Sequence, residues 1–520
     1  MDFHVTEGNE LFRVLHDDIV GIDEPSTVYL AAGRYSQTLP RVAPRGYFSC
    51  SPNGRSLTIT GEPGTSARDV IIDAQGIGYC LAIVDATLRG LPWETRMDPA
   101  FDRPRLEIIG ITFCNGNDPY NCGGLDIDAQ EYAVVVRDCV FADNASDAGR
   151  GAGLHVTEAF SLTIDGNRVQ RNTLRERVVT TDSDGVRSTS TECCGAGVFV
   201  WNAWDGVTLR NNIVTDNVAA GNSSQGGGLF LAFGCDRTAH LLHNTICANT
   251  AAEGGGVHFG DYPGPGGLVN LYNNIVRGNR AVVRAGSDDL FLGETREIPE
   301  SRWLDVDAYH NNCSRVLGTY RASGGNVDVD PGFVHPAGGD YRLLAGSAMI
   351  DAGTNEVPDP PGLPEHDIDG EARVNGRRPD IGADEYHPGT RRRAPASFGI
   401  WVDGRRGPVV LAPRRKVAIT AALAAGDDHG VPAALRVTLD SPAGRLHLAP
   451  RGWTAERVDY FHGPLATLGR FEVPAPPSMA RPGASEFRVE LELHARSHGR
   501  PGGAGAPSIV SRSVVCHVPR

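Results

Sequence analysis

Five short segments between Gly124 and Gly260 alternate apolar and variable residues, each directly after a glycine. They are Leu125–Asp128, Leu154–Thr157, Val198–Trp201, Leu229–Ala232 and Val257–Gly260. A period of two predicts strands with one buried face. A second run follows each segment, opening on alternating apolar residues, turning through polar ones and closing on asparagine. These runs are Val134–Asn144, Leu162–Asn172, Val207–Asn217, Ala239–Asn249 and Val269–Asn279. Four of them also carry asparagine at the sixth position (Asn167, Asn212, Asn244, Asn274), where the first has Cys139.

Equivalent residues recur every 28 to 32 positions, with one interval near 45 because Arg175–Cys193 is inserted. Such a period marks stacked repeats. The pattern lacks the 3.6-residue period of helical repeats and the leucine ladder of leucine-rich ones. Short strands broken by Gly and Asn predict a parallel β-helix, with each coil bonded to the next and asparagines stacked at the corners. Alternation then points Leu125/Ile127, Leu154/Val156, Val198/Val200, Leu229/Leu231 and Val257/Phe259 inward. Asp126, His155, Phe199, Phe230 and His258 form an outward column, with Asp128, Thr157, Trp201, Ala232 and Gly260 beside it. Tyr132, Trp204 and Tyr262 fall in the turns just after.

Composition agrees with a turn-rich β protein: 64 Gly and 34 Pro among 520 residues. A formal net charge of −14 argues against nucleic acid as a partner, since phosphates would be repelled. Lys416 is the only lysine, so no mechanism within the coil rests on one. No apolar window reaches membrane-spanning length, and no membrane insertion is expected. Eleven cysteines without a zinc spacing suggest loop disulfides: Cys114 with Cys122, Cys235 with Cys247, and the adjacent Cys193 and Cys194. That reading predicts an extracellular or cell-surface protein. Met1–Glu10 shows neither the basic nor the apolar run of a secretory leader.

Ahead of the repeats, Phe3–Val20 is expected to cap the coil with a short helix around Leu11–Leu15. Thr27–Tyr35 (TVYLAAGRY), Leu57–Gly64 (LTITGEPG) and Val70–Gly76 (VIIDAQG) then read as short strands. These stretches resemble the opening turns of the pectin-lyase-like right-handed parallel β-helix superfamily. Farther on, Asp330–Val334, Asp340–Leu343, Ser347–Gly353, Asp367–Arg373 and Asp380–Glu385 resemble the closing module of bacterial choice-of-anchor β-helix proteins. The resemblance covers roughly residues 20 to 388 and implies the fold. It does not imply an activity, because that superfamily holds lyases, hydrolases, epimerases, tailspikes and adhesins. Asp367, Asp369, Asp380 and Glu385 admit a calcium site. They equally admit turn-capping carboxylates paired with Arg373, Arg377 and Arg378 over the open end of the coil.

The expected architecture is therefore all-β: a parallel β-helix with its caps over 1–388, a linker over 389–396, and a small immunoglobulin-like β-sandwich over 397–520. The last rests on alternating runs from Ser397–Val402 to Ile509–Val518.

Aromatics beside acids on a flat face suit a polysaccharide, because sugar rings stack their C–H faces on aromatic planes. Phe199, Trp201, Trp204, Phe230, His258 and Tyr262 are the candidate glycan contacts. Asp126, Asp128 and His155 are the candidate acid/base groups if bonds are cut. The plainer alternative is that loops fold over this face and the aromatics form a secondary core. Catalytic signatures of the superfamily are incomplete: the coil has no lysine base, no arginine stands on the column, and of the polygalacturonase set only Asp288-Asp289 is present. Asp182 and Asp184 lie in the inserted loop. Two functions are consistent with these residues. One is a glycan-binding or glycan-cleaving surface protein, as lyase or glycoside hydrolase. The other is a non-catalytic spike, adhesin or appendage subunit that docks or self-associates through its C-terminal domain.

Overall fold

The computed structural model describes residues 1–36, 46–96, 98, 100–118, 122–147, 149–175, 177–180, 187–190, 193–232, 237–260, 267–293, 304–358 and 360–388. Beyond these it describes 397–402, 409–410, 418–424, 432–441, 443–450, 452–464, 469–474, 483–493 and 508–518. The chain divides into two compact units, one of residues 1–333 and 341–387, the other of 334–340 and 388–520.

The first unit is a parallel β-solenoid. One coil shows its plan: Leu125–Ala129 on face one, Ala133–Arg137 on face two, Val140–Ala142 on face three and Ala145–Ser146 on face four. The next coil repeats it from Leu154–Thr157. Stacking yields parallel sheets of nine, eleven, nine and six strands on faces one to four. At about 4.8 Å per strand, eleven strands span roughly 48 Å. Every inward residue expected on face one is buried. At the start, Gly8–Arg13 forms a helix that continues as a wider π-type turn, Val14–Asp18. Leu11, Val14, Leu15 and Ile19 seal the core there.

Two corners of each coil turn on a residue with positive φ followed by a ladder position. Asp138, Asn211, His243, Asn273 and His310 precede Cys139, Asn212, Asn244, Asn274 and Asn311. Asp143, Arg171, Asp216 and Ala248 precede Asn144, Asn172, Asn217 and Asn249. Each ladder amide ties three coils. Asn172 Nδ2 donates to Phe141 O of the preceding coil at 3.0 Å and to Asn217 Oδ1 of the next at 2.9 Å. The same Oδ1 accepts the Asn172 backbone N–H at 3.0 Å. The repeated glycine before face one sits against this ladder. A methyl group on Gly197 would lie 2.5 Å from Gly228 O and 3.0 Å from Asn217 Nδ2, so any larger residue there must push two coils apart.

The insertion between Leu174 and Cys193 leaves this register intact, since Thr173 pairs with Val218 and Leu154 with Val198. Within it, Arg177–Thr180 and Arg187–Ser190 pair as an antiparallel hairpin. Asp182 and Asp184 lie outside the described residues.

The closing module lies in a different place from the one expected. It packs along face three, where Tyr341, Leu343, Met349, Ile381 and Ala383 bury Ile213, Cys247 and Ile275. Its carboxylates cap turns. Asp367 Oδ1 accepts the N–H groups of Asp369 and Glu371, both at 2.9 Å, and Glu385 accepts those of Asn375 and Asp380. Arg373 is fully buried and reaches the coil, donating to Asn211 Oδ1 at 2.6 Å. Arg377 and Arg378 contribute backbone N–H groups to Asp351 instead of pairing with this acidic set.

The cysteine expectation is corrected. Cys114, Cys122 and Cys247 are free thiols, and among the described residues no disulfide forms, Cys193 and Cys194 included. Cys235 lies outside the described residues. Cys114 and Cys122 are sealed in the coil, where burial holds both thiols well above their usual pKa and so unreactive. Alkylation in denaturant without reductant is therefore expected to label all ten cysteines among the described residues, read by intact mass. Unlabelled pairs would show that bridges form.

The second unit holds two sheets. Ser397–Val402, Ile419–Ala424 and Gly469–Val473 pair antiparallel. The larger sheet is built on Pro432–Ser441, Gly483–Leu493 and Ser508–Val518, with Gly444–Ala449, Gly452–Thr454, Phe461–Pro464 and Val409–Val410 added. The expected linker lies outside the described residues. Among the described residues, no helix is long and apolar enough to cross a membrane.

Candidate functional site

Face one carries the column that alternation placed there. Asp126 pairs in register with His155, His155 with Phe199, Phe199 with Phe230 and Phe230 with His258. Parallel strands put identical positions one above another, so the rings stack. Centroids are 5.1 Å apart for His155–Phe199, 5.1 Å for Phe199–Phe230 and 5.4 Å for Phe230–His258. The stack continues to Phe291, 4.4 Å from His258. Phe291 escaped the sequence reading because no glycine pair opens its strand. Leu290 and Phe291, directly after Asp288-Asp289, were the available signal.

The column is not the open platform that the sequence suggested. Phe199, Phe230 and His258 are at most 4 % exposed, leaving no ring face for a sugar. Phe199 and Phe230 cluster with Cys194 and Ala232, and Gly260 leaves room for the Phe230 ring, on which a methyl group would fall. Arg150 lies over Phe199 at 5.4 Å and over Trp201 at 5.7 Å. Burial lowers the His258 pKa to about 3, so the imidazole is a neutral member of the stack. Tyr132 belongs to the core, its hydroxyl donating to Asp85 Oδ2 at 2.7 Å. Trp201, parallel to Phe199 at 6.3 Å, and Trp204 remain partly exposed. Tyr262 lies outside the described residues.

The polar end differs. Asp126 Oδ1 and His155 Nδ1 are 2.6 Å apart, their side chains 12 % and 18 % exposed. Asp128, two residues on and facing the same way, is half-buried, with its Oδ1 enclosed and lacking a hydrogen-bond partner. Its pKa is raised, first by burial and then by Asp126 and Glu158, against the opposing pull of His155 and Arg89. Glu158, in the turn after Leu154–Thr157, accepts from Asn202 Nδ2 at 2.9 Å. Glu158 was missed by the strand alternation because it lies one residue past the strand end. The site thus joins an oriented imidazole to a carboxyl biased toward its protonated form, a pairing suited to proton transfer.

Away from face one, Asp367, Glu371 and His387 place one ligand atom each within 4.8 Å of one another. That set overlaps the acidic run of the closing module only at Asp367, whose oxygens also serve the turn. Comparison of the chain with protein-family models, curated proteins and solved structures returns no match.

Proposed function

We propose that this is a secreted or surface-exposed polysaccharide-directed protein whose acid/base group is Asp126, Asp128 and His155. The observation that carries the reading is Asp128, an enclosed carboxyl with an unpartnered oxygen beside a hydrogen-bonded Asp–His pair. Donation of the Nδ1 proton to Asp126 leaves the His155 Nε2 lone pair free to take a proton from water. Asp128, holding its own proton to higher pH than usual, protonates the leaving glycosidic oxygen. The water oxygen bonds to the anomeric carbon as that bond breaks, and solvent returns the proton from His155 to Asp128. His155 faces Asp126 across the coils, so Asp128 and His155 are diagonal neighbours about 8 Å apart at the backbone, a spacing of the order that admits an intervening water and so favours inversion over a covalent intermediate. Trp201 and Trp204 are the rings left to meet the sugar.

Kinship with the pectin-lyase-like right-handed β-helices, and an immunoglobulin-like sandwich over 397–520, complete this reading. Glycosidase assays on a polysaccharide panel test it. Asp128→Asn and His155→Ala are each expected to lower kcat by 100-fold or more, given the usual contribution of a positioned acid or base. No cleavage and no retention of any glycan by the wild type would end it.

A second reading draws on the buried Phe199–Phe230–His258–Phe291 stack, which stiffens face one without offering a surface. On that reading the coil is a spacer for an adhesin or appendage subunit, joined through residues 397–520. Mass photometry showing self-assembly, with no glycan bound, would favour it.

A further inference from the structure

Charge around the Asp126–His155 pair limits what can enter beside it. Leu125–Ala129 supplies Asp126 and Asp128, and the following coil supplies Glu158 at a residue with φ 59. Thr157 is the register partner of Asp128, so Glu158 stands one residue from it on the adjoining coil, and Asp126 and Glu158 both push the Asp128 carboxyl up. Of the arginines nearby in the chain, Arg96, Arg103 and Arg150 are engaged, while Arg89 exerts the weakest of the charged influences on Asp128. Arg96 pairs with Glu131 at 2.9 Å. Arg103 lies 3.4 Å over the Phe160 ring and donates to the carbonyls of Asp98 and Phe101. Arg150 lies over Phe199 and Trp201, and Arg89 is exposed. A uronate sugar brought to this point would set its carboxylate beside those of Asp126 and Glu158, with Asp128 as the proton donor. Selection of a uronate requires the opposite arrangement, a cationic group aimed at the sugar carboxylate.

We infer that the sugar entering the Asp126–Asp128–His155 site carries no carboxylate, being neutral or amino-bearing, and that Glu158 enforces the exclusion. This deepens the polysaccharide reading above and rests on it.

Matched neutral, amino-bearing and uronate oligosaccharides on an array, probed at low salt with the full chain and with Glu158→Gln, provide the test. Uronate members are expected to be held at least about tenfold more weakly than their neutral counterparts, because like charges beside half-buried side chains repel and are little screened. Glu158→Gln, with unchanged Tm, is expected to narrow that gap by about threefold or more, since one of the two repelling carboxylates, Asp126 and Glu158, is gone. Uronates held as tightly as their neutral counterparts overturn the inference and leave the glycan reading standing. An unchanged gap in Glu158→Gln overturns the role of Glu158. Retention of no glycan of any charge removes the glycan reading, and the inference falls with it.

Discussion

Asn217→Leu is expected to destabilise the solenoid by about 3–5 kcal/mol, because it leaves several buried polar groups unpaired at once. Asn217 Oδ1 accepts both the N–H and the Nδ2 of Asn172, at 3.0 and 2.9 Å. Its own Nδ2 donates to Val169 O at 3.0 Å and to Asn249 Oδ1 at 2.9 Å. Leucine matches the side-chain volume but satisfies none of these groups, and water cannot reach them. Asn326→Leu provides the internal control. Asn326 Oδ1 accepts from Asn311 at 2.8 and 3.0 Å, but the residue is only partly buried. Its loss is expected to be clearly smaller in urea unfolding. Equal midpoint shifts for the two variants would show that the ladder does not hold the coils.

Arg373→Met is the second large effect, and its size is expected to depend on pH. Arg373 is buried among Asp367, Asp380, Asp384 and Glu385, with His243 facing it from the coil. Burial raises Asp384 from 3.8, and Glu385 from 4.5, to about 8 in each case, while His243 is kept neutral by burial and by Arg373 itself. Carboxyls raised in the folded state bind more protons there than in the unfolded chain, so their contribution to stability falls as pH rises from about 4 to about 8. Arg373 offsets that loss by favouring the ionised forms. Its removal is therefore expected to cost about 3–5 kcal/mol near pH 8, where uncompensated charge stays buried, and distinctly less near pH 5. Thermal unfolding across this range decides it. A penalty independent of pH would mean that Arg373 acts by packing alone.

The two corners and the inward columns were legible because each coil restates them: Leu125, Leu154, Val198, Leu229 and Val257 are the same physical position met five times. Register follows from the same repetition, which pairs Asp126 with His155. Exposure was not legible. Phe199 and Phe230 look outward on their strands, and their cover comes from groups such as Cys194 that alternation does not describe. The closing module had left a trace that was not read. Ile213 and Ile275 occupy outward positions where the earlier coils carry Thr112, Val140 and Arg168, so the two isoleucines are the sign of a cover there. Asp128 was chosen for its position, but its raised pKa depends on Glu158 and on enclosure, neither of which has a period. Nor does free cysteine: Cys114 and Cys122 are close in sequence, whereas the fold buries both, the Cys122 thiol donating to the Leu125 and Ala152 carbonyls and the Cys114 sulfur accepting from Asn115 Nδ2.

Between Leu174 and Cys193 the chain leaves the coil and returns to the same rung, with Asn172 and Asn217 still bonded at 2.9 Å across the excursion. The frame therefore reads length only in whole turns and is indifferent to what hangs from that corner. Foreign cargo spliced there would ride on an unchanged scaffold, while one residue added or lost within a rung would put every side chain beyond it on the wrong surface.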